Sequence, residues 1–255
     1  MTLRVLTVYA GVVAAATASA QSMRRGEVRG DVVSLTVDDP RPLAEAARTL
    51  EELCGCPISY EDAPILSKDD TEERMLPGAS RPANMRRGGR LTLQMRLDGE
   101  QLSAKVPAAV SALRQQHDAF GLPGRFRVVT TEKRTVIIPE PEPGSGLDAG
   151  TVALLDRTVQ VRDGRQTLES ALESMLKDVA GNGPYGAGFG MVPRAALSAV
   201  TVDLRGGARV ARDLLEDLLS RVPDRRYSWR LMFNAPGRRF LLNIRQVTPA
   251  KNDVR

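Results

Sequence analysis

Reactive side chains are scarce in this 255-residue sequence: it has one histidine, His117, and two cysteines, Cys54 and Cys56. A single imidazole excludes every multi-histidine metal site, and two cysteines exclude a four-cysteine zinc site or a disulfide scaffold. Aromatic residues make up 4% of the chain, and a histidine-based triad would rest on His117 alone. After the N-terminal segment, no apolar run approaches the ~20 residues a membrane-spanning helix needs. What is present, 42% hydrophobic and 26% charged residues, suits one sizeable core or two small ones. Collagen, fibre and wholesale disorder are excluded.

The first 20 residues have the form of an export signal. Arg4 supplies the positive start, Val5 to Thr17 are mostly apolar, and Ala18-Ser19-Ala20 is a small-x-small cleavage site. Cleavage after Ala20 would leave a periplasmic or secreted chain with a formal charge of +4 in place of +5. In such a compartment a disulfide between Cys54 and Cys56 would close a very small ring. The spacing favours two structural thiols, with Cys54 in the last turn of a helix and Cys56 starting a strand. A redox pair or an intermolecular bridge are the alternatives.

The first half opens with a β-rich run at 32–37 broken by Asp38-Asp39-Pro40. Pro42 suits a first helical position. Leu43, Ala46, Ala47, Leu50, Leu53 and Cys54 then form one apolar stripe, and Gly55 closes the helix. Residues 57–61 read as a short strand. A polar connection follows from Asp62 to Gly89, carrying five arginines and no acid between Arg74 and Arg90. Next come a strand at 90–97 and a helix at 104–120 with Val106, Ala109, Val110, Leu113, His117 and Phe120 on one face. A hairpin of 126–130 and 135–138 ends the half. Residues 140–150, rich in proline and glycine, read as a linker.

The second half repeats this order. A strand at 157–161 is followed by a turn at Asp163-Gly164 and a helix N-capped by Thr167 with a complete apolar stripe from Leu168 to Val179. Short strands are expected at 189–192 and 199–204. A helix with Val210, Leu214, Leu215, Leu218 and Leu219 comes next, then a hairpin in which Tyr227, Trp229, Leu231 and Phe233 alternate. Leu43 corresponds to Leu168 and Leu91 to Val200, so segment order repeats while residue identity hardly does. The expected fold is α+β: two small domains at 31–139 and 151–248, each β-α-β-β-α-β-β with two helices on a mixed sheet, and a tail at 249–255.

Residues 32–62 (VVSLTVDDPRPLAEAARTLEELCGCPISYED) and 91–138 (LTLQMRLDGEQLSAKVPAAVSALRQQHDAFGLPGRFRVVTTEKRTVII) resemble the short N-terminal domain shared by secretins and TonB-dependent signalling receptors. The likeness rests on the proline-leucine helix start, the glycine ending that helix, the Leu-Thr-Leu strand, the Gly121-Leu122 helix end and the closing hairpin. The second half looks like a degenerate copy. Those families continue into a large outer-membrane barrel for which this sequence has no room. The resemblance therefore implies a periplasmic adaptor, docking onto an envelope protein complex of a secretion or TonB-type system, or onto itself.

Other chemistry is weakly signalled. His117 lies on or beside a buried helix stripe, although Asp118 could orient it. Asp69, Asp70, Glu72 and Glu73 lack regular metal-ligand spacing. The glycine-rich stretch 183–190 follows a helix and precedes a strand, the reverse of a phosphate-binding loop. From Arg205 to Arg255 there are 12 basic and 5 acidic residues. The arginines beside Tyr227, Trp229 and Phe233 could grip a nucleic acid, but the alternation marks those aromatics as core and sends Arg226, Ser228 and Arg230 to water. No nucleic-acid partner is expected. No residue is assigned a catalytic, cofactor-binding or metal-ligating role, and no cofactor is expected. The alternatives to a non-catalytic adaptor are an anionic-polymer binder using the C-terminal arginines and an exported hydrolase with an unrecognised carboxylate site.

Overall fold

A computed structural model describes residues 23–64, 67–75, 80–132, 134–141, 149–181 and 183–250. The expected signal segment 1–20 with its cleavage site, residues 142–148 of the linker and 251–255 of the tail lie outside the described residues. The first half contains β1 (Met23–Arg29), β2 (Val32–Asp39), α1 (Pro42–Cys54), β3 (Ile58–Glu61), β4 (Thr71–Arg74), β5 (Ala83–Arg86), β6 (Gly89–Arg96), α2 (Leu102–Ala119), β7 (Arg125–Thr130) and β8 (Thr135–Glu140). The second contains α3 (Ala149–Val152), β9 (Thr158–Val161), β10 (Gly164–Thr167), α4 (Leu168–Ala180), β11 (Gly186–Phe189), α5 (Arg194–Ser198), β12 (Thr201–Leu204), β13 (Gly207–Val210), α6 (Ala211–Ser220), β14 (Tyr227–Asn234) and β15 (Arg239–Gln246). The fold is mixed α+β, as expected. No described helix is long and apolar enough to cross a membrane.

Local signals place several elements where the sequence reading puts them. Pro42 begins α1, where its missing N–H costs no hydrogen bond. Gly55 ends it at φ 62°, its N–H donating to the Glu51 carbonyl over 2.8 Å. The Thr167 hydroxyl caps α4 by accepting from the Ser170 N–H.

The sheets hold the main surprise. A six-stranded sheet runs through both halves in the order β11-β15-β14-β3-β8-β7. Inside the first half β3 is parallel to β8, and β7 is antiparallel to β8; inside the second, β11 is parallel to β15 and β14 antiparallel to it. The halves meet where β14 runs parallel to β3, with Arg230 opposite Tyr60 and Leu231 opposite Glu61.

The two cores lie on opposite faces of this sheet. Ile58, Tyr60, Phe126 and Ile137 point to one face and pack with α1 and α2. Val136 and Ile138, the alternate residues of β8, join Trp229, Leu231, Phe240 and Leu242 in the core under α4 and α6. The apolar run of β8 has no polar face because neither face meets water. Each core is closed on its far side by smaller sheets: β1-β2-β6 for the first, and the pairs β9-β13 and β10-β12 for the second.

This arrangement corrects several expectations. Ser228 is buried and Arg230 is largely covered, because the face of β14 expected to meet water lies against the first half. Arg226, just before the strand, is exposed as expected. Phe120 is also misplaced by helix periodicity. It falls one residue past the end of α2 and is 59% exposed. The strand expected at 189–192 ends at Phe189, before the turn into α5. The polar connection after Asp62 contains a 3-10 turn at Lys68–Asp70 and the antiparallel hairpin β4-β5.

Cys54 and Cys56 are joined by a disulfide, not held as two thiols. The left-handed Gly55 folds the chain back and brings their Cα atoms within 5.3 Å, inside the range a disulfide bridges. A side chain at Gly55 would also strike the returning C-terminal segment, 2.4 Å from the Ala250 nitrogen.

Candidate functional site: the junction strand and the sheet edges

β3 is the strand on which both halves converge, and it ends in two adjacent buried acids. Glu61 and Asp62 point to opposite faces of the sheet, as neighbours on a strand must. Both are fully buried.

Asp62 belongs to a cluster with the first half's arginines. Arg41 Nε is 2.7 Å from one carboxylate oxygen and Arg86 Nη1 2.8 Å from the other. The Tyr60 hydroxyl donates over 3.0 Å and the Phe233 N–H over 3.2 Å. Arg41 also donates to the Phe233 carbonyl, and Arg86 to the Ala63 carbonyl. Burial pushes the Asp62 carboxyl up, but the Arg86 and Arg41 charges with these donors outweigh it and hold it below the usual aspartate value. Burial, with the adjacent Asp62 charge, raises the Tyr60 phenol well above its ordinary value.

Glu61 turns to the second half. Arg212 of α6 donates to it over 2.7 Å and the Leu155 N–H over 3.0 Å. Arg212 also bonds Asp156 and lies 5.7 Å from the centre of the Trp229 ring. Burial lifts the Glu61 carboxyl despite those donors, whereas Glu61 and Asp156 together raise the Arg212 guanidinium against its own burial. Farther along the junction, Arg245 of β15 reaches Glu51 and Glu52 on α1.

The arrangement is a clamp. Every polar atom of the two carboxylates is occupied by a cation or an N–H or O–H donor, and neither acid reaches solvent. Such a cluster orients strands and resists separation of the halves. The sequence marks a strand at 57–61 and a polar connection from Asp62, but not the clamp. Its one available signal is a pair of acids directly following an apolar strand, in a chain whose next segment is rich in arginine.

The remaining candidates disperse. His117 is buried against the edge of the Phe126 ring, and burial lowers its pKa to about 4 although Asp118 pulls the other way. In the acidic run, Asp70 caps the 3-10 turn by accepting from the Ser67 N–H, and Glu72 accepts from Gly88. Among the described residues no group of three or more histidine, cysteine or acidic side chains is placed to hold a metal ion. Tyr227, Trp229 and Phe233 lie in the core, so they offer no stacking surface beside the exposed Arg225 and Arg226.

Two features do face outward: the terminal strands of the six-stranded sheet. At the β7-β8 turn, the Thr131 N–H donates to the Arg134 carbonyl, whereas the Thr135 N–H points the opposite way, to Pro57. Backbone groups alternate along a strand, so those of Phe126, Val128 and Thr130 point away from β8; Phe126 is buried, which leaves Val128 and Thr130 presented at the β7 edge. At the other end, Gly186 and Gly190 donate inward to the Arg238 and Leu242 carbonyls, which leaves Ala187 and Phe189 pointing out from β11. A cavity of about 510 Å³ lies along β11, walled by α4 residues Glu173 and Lys177 and by Arg194. Comparison with known proteins finds no family model, no curated protein and no solved structure that matches this chain.

Proposed function

We propose that the chain is an exported, non-catalytic adaptor of the cell envelope, built from two units of the order β-α-β-β-α-β-β and acting by contact with other protein chains. The observation that carries this reading is the six-stranded sheet with outward-pointing backbone donors and acceptors at both ends, on β7 and β11. Strand addition at such an edge supplies affinity through main-chain hydrogen bonds and needs no reactive side chain. The duplicated order is supported by the strand pairing: β3-β8-β7 and β11-β15-β14 have the same sequence of parallel and antiparallel contacts. The likeness of residues 32–62 and 91–138 to the secretin and TonB-receptor N-terminal domain supplies the envelope setting.

Crosslinking an envelope fraction and purifying the chain with its adducts tests the proposal. The expected result is an adduct whose crosslinks map to β7 or β11. Recovery of the protein as a monodisperse monomer, without adducts, would overturn it.

A further inference from the structure

We infer that one copy of the chain binds the next head to tail, the β7 edge of one pairing in parallel with the β11 edge of another. This deepens the adaptor reading and rests on it, because it names the occupant of those two edges.

The junction inside the chain supplies the pattern. It joins β14, the outer hairpin strand of the second half, to β3, the strand that follows the first core helix of the first half, as β11 follows α4 in the second. In the first half the place of β14 is taken by β7: each is the outer strand of a hairpin and antiparallel to its partner. In the second half the place of β3 is taken by β11: each is parallel to the second hairpin strand. The two strands that the internal junction leaves over are therefore one of each type. Their directions also agree. β7 runs opposite to β8 and so to β3, while β11 runs with β15, opposite to β14 and so to β3. Placed side by side by simple translation of a copy, β7 and β11 are parallel, as β14 and β3 are. The second core would again fall on the face opposite the first.

The glycines of β11 fit this use. Within the stretch 183–190, residues 183–185 bend the chain out of α4, and Gly186 and Gly188 lie in a strand. Neither is among the positive-φ glycines. A Cβ at Gly188 would meet nothing within 4 Å, so crowding inside the chain does not call for glycine there. A strand glycine that forms neither a bulge nor a bend is one mark of a place open to close approach by another backbone. The open cavity beside β11 leaves room for that approach.

A heterologous contact of this kind does not close on itself in a pair. It continues into a ring or a filament. The test is sedimentation velocity of the purified full chain from micromolar to several hundred micromolar concentration, with two variants that each remove one outward N–H. Val128→Pro blocks the β7 edge and Ala187→Pro the β11 edge, without removing a bond to the strand beside either. The wild type is expected to form a concentration-dependent series extending past the dimer. Each variant alone is expected to lose every species above the monomer, and an equal mixture of the two to form a dimer and stop there, since each supplies the edge the other lacks.

Should Val128→Pro fail to fold, Thr130→Pro addresses the same edge. Hydrogen exchange on the wild type needs no variant: amides 128, 130, 187 and 189 gain protection as concentration rises. A wild type that stays monomeric throughout, or a series that both blocked variants still form, would overturn the inference. A monomer that nevertheless yields envelope adducts at these edges would leave the adaptor reading standing and remove only the self-pairing.

Discussion

The two faces of the sheet at the end of β3 solve one problem in two ways. Asp62, facing the first half, is held by two arginines and a tyrosine and keeps its charge below the usual aspartate pKa. Glu61, one residue earlier and facing the second half, shares its single arginine with Asp156, and burial lifts its pKa. Equal burial therefore gives opposite shifts. What differs is the number of positive charges and donors brought to each carboxylate, and the first half brings more because the β4-β5 hairpin delivers Arg86.

Breaking the stronger side should cost most. Asp62→Ala leaves Arg86 buried without its carboxylate and removes the acceptor of the Phe233 N–H. A loss of about 3–5 kcal/mol is expected in urea denaturation, as for other buried pairs cut on one side. A loss under about 1 kcal/mol would mean that the cluster is not a clamp.

The second contrast is in acid. His117 packs in the first core, and its pKa near 4 lies below the ordinary value of 6.5. The unfolded chain therefore binds the proton first, and stability falls as pH drops from about 6.5 to about 4, by at most about 3 kcal/mol. Asp62 adds its loss only lower, below the ordinary aspartate range, since a depressed carboxyl pKa contributes stability until the folded value is reached. Glu61, with a raised pKa, has the opposite sign. Stability measured against pH should slope between 6.5 and 4 in the wild type and flatten over that window in His117→Phe. Hydrogen exchange at the acid end should loosen α1 and α2 before α4 and α6.

A smaller effect is expected at the end of α1. Replacing Cys54 and Cys56 by serine opens a loop of a few residues, for which chain entropy predicts only about 1–2 kcal/mol. Thermal melts of the oxidised and the doubly substituted proteins measure it. The mildest change sharpens the opening comparison. Glu61→Gln keeps an acceptor for Leu155 and leaves Arg212 its bonds to Asp156, so about 1 kcal/mol is expected, well short of the loss in Asp62→Ala.

Much of the fold was legible where a local signal acts alone. Pro42, Gly55 and Thr167 mark helix ends through backbone chemistry, and the stripes from Leu43 to Cys54 and from Leu168 to Val179 find their cores. The hairpin alternation of Tyr227, Trp229, Leu231 and Phe233 likewise marked the buried face. What periodicity could not report is the second face of a strand. Arg230 and Ser228 look solvated because they alternate with aromatics, but the partner that covers them begins some 170 residues earlier in the chain. β1 was missed for a related reason: MRRGEVR has little apolar content, and it is a strand because β2 pairs with its whole length. The clamp was illegible for the same cause, since Glu61 and Arg212 are 151 positions apart.

That distance constrains how the molecule comes into being. A chain delivered amino end first exposes the inner border of β3, and the uncovered side of Val136 and Ile138, until the last hairpin has been delivered. Contacts between such remote segments form slowly, and greasy surface left open meanwhile invites mispairing. A truncation at the proline-rich stretch after β8 would thus be expected to yield a sticky fragment needing a chaperone's shelter, whereas the complete chain hides that surface unaided.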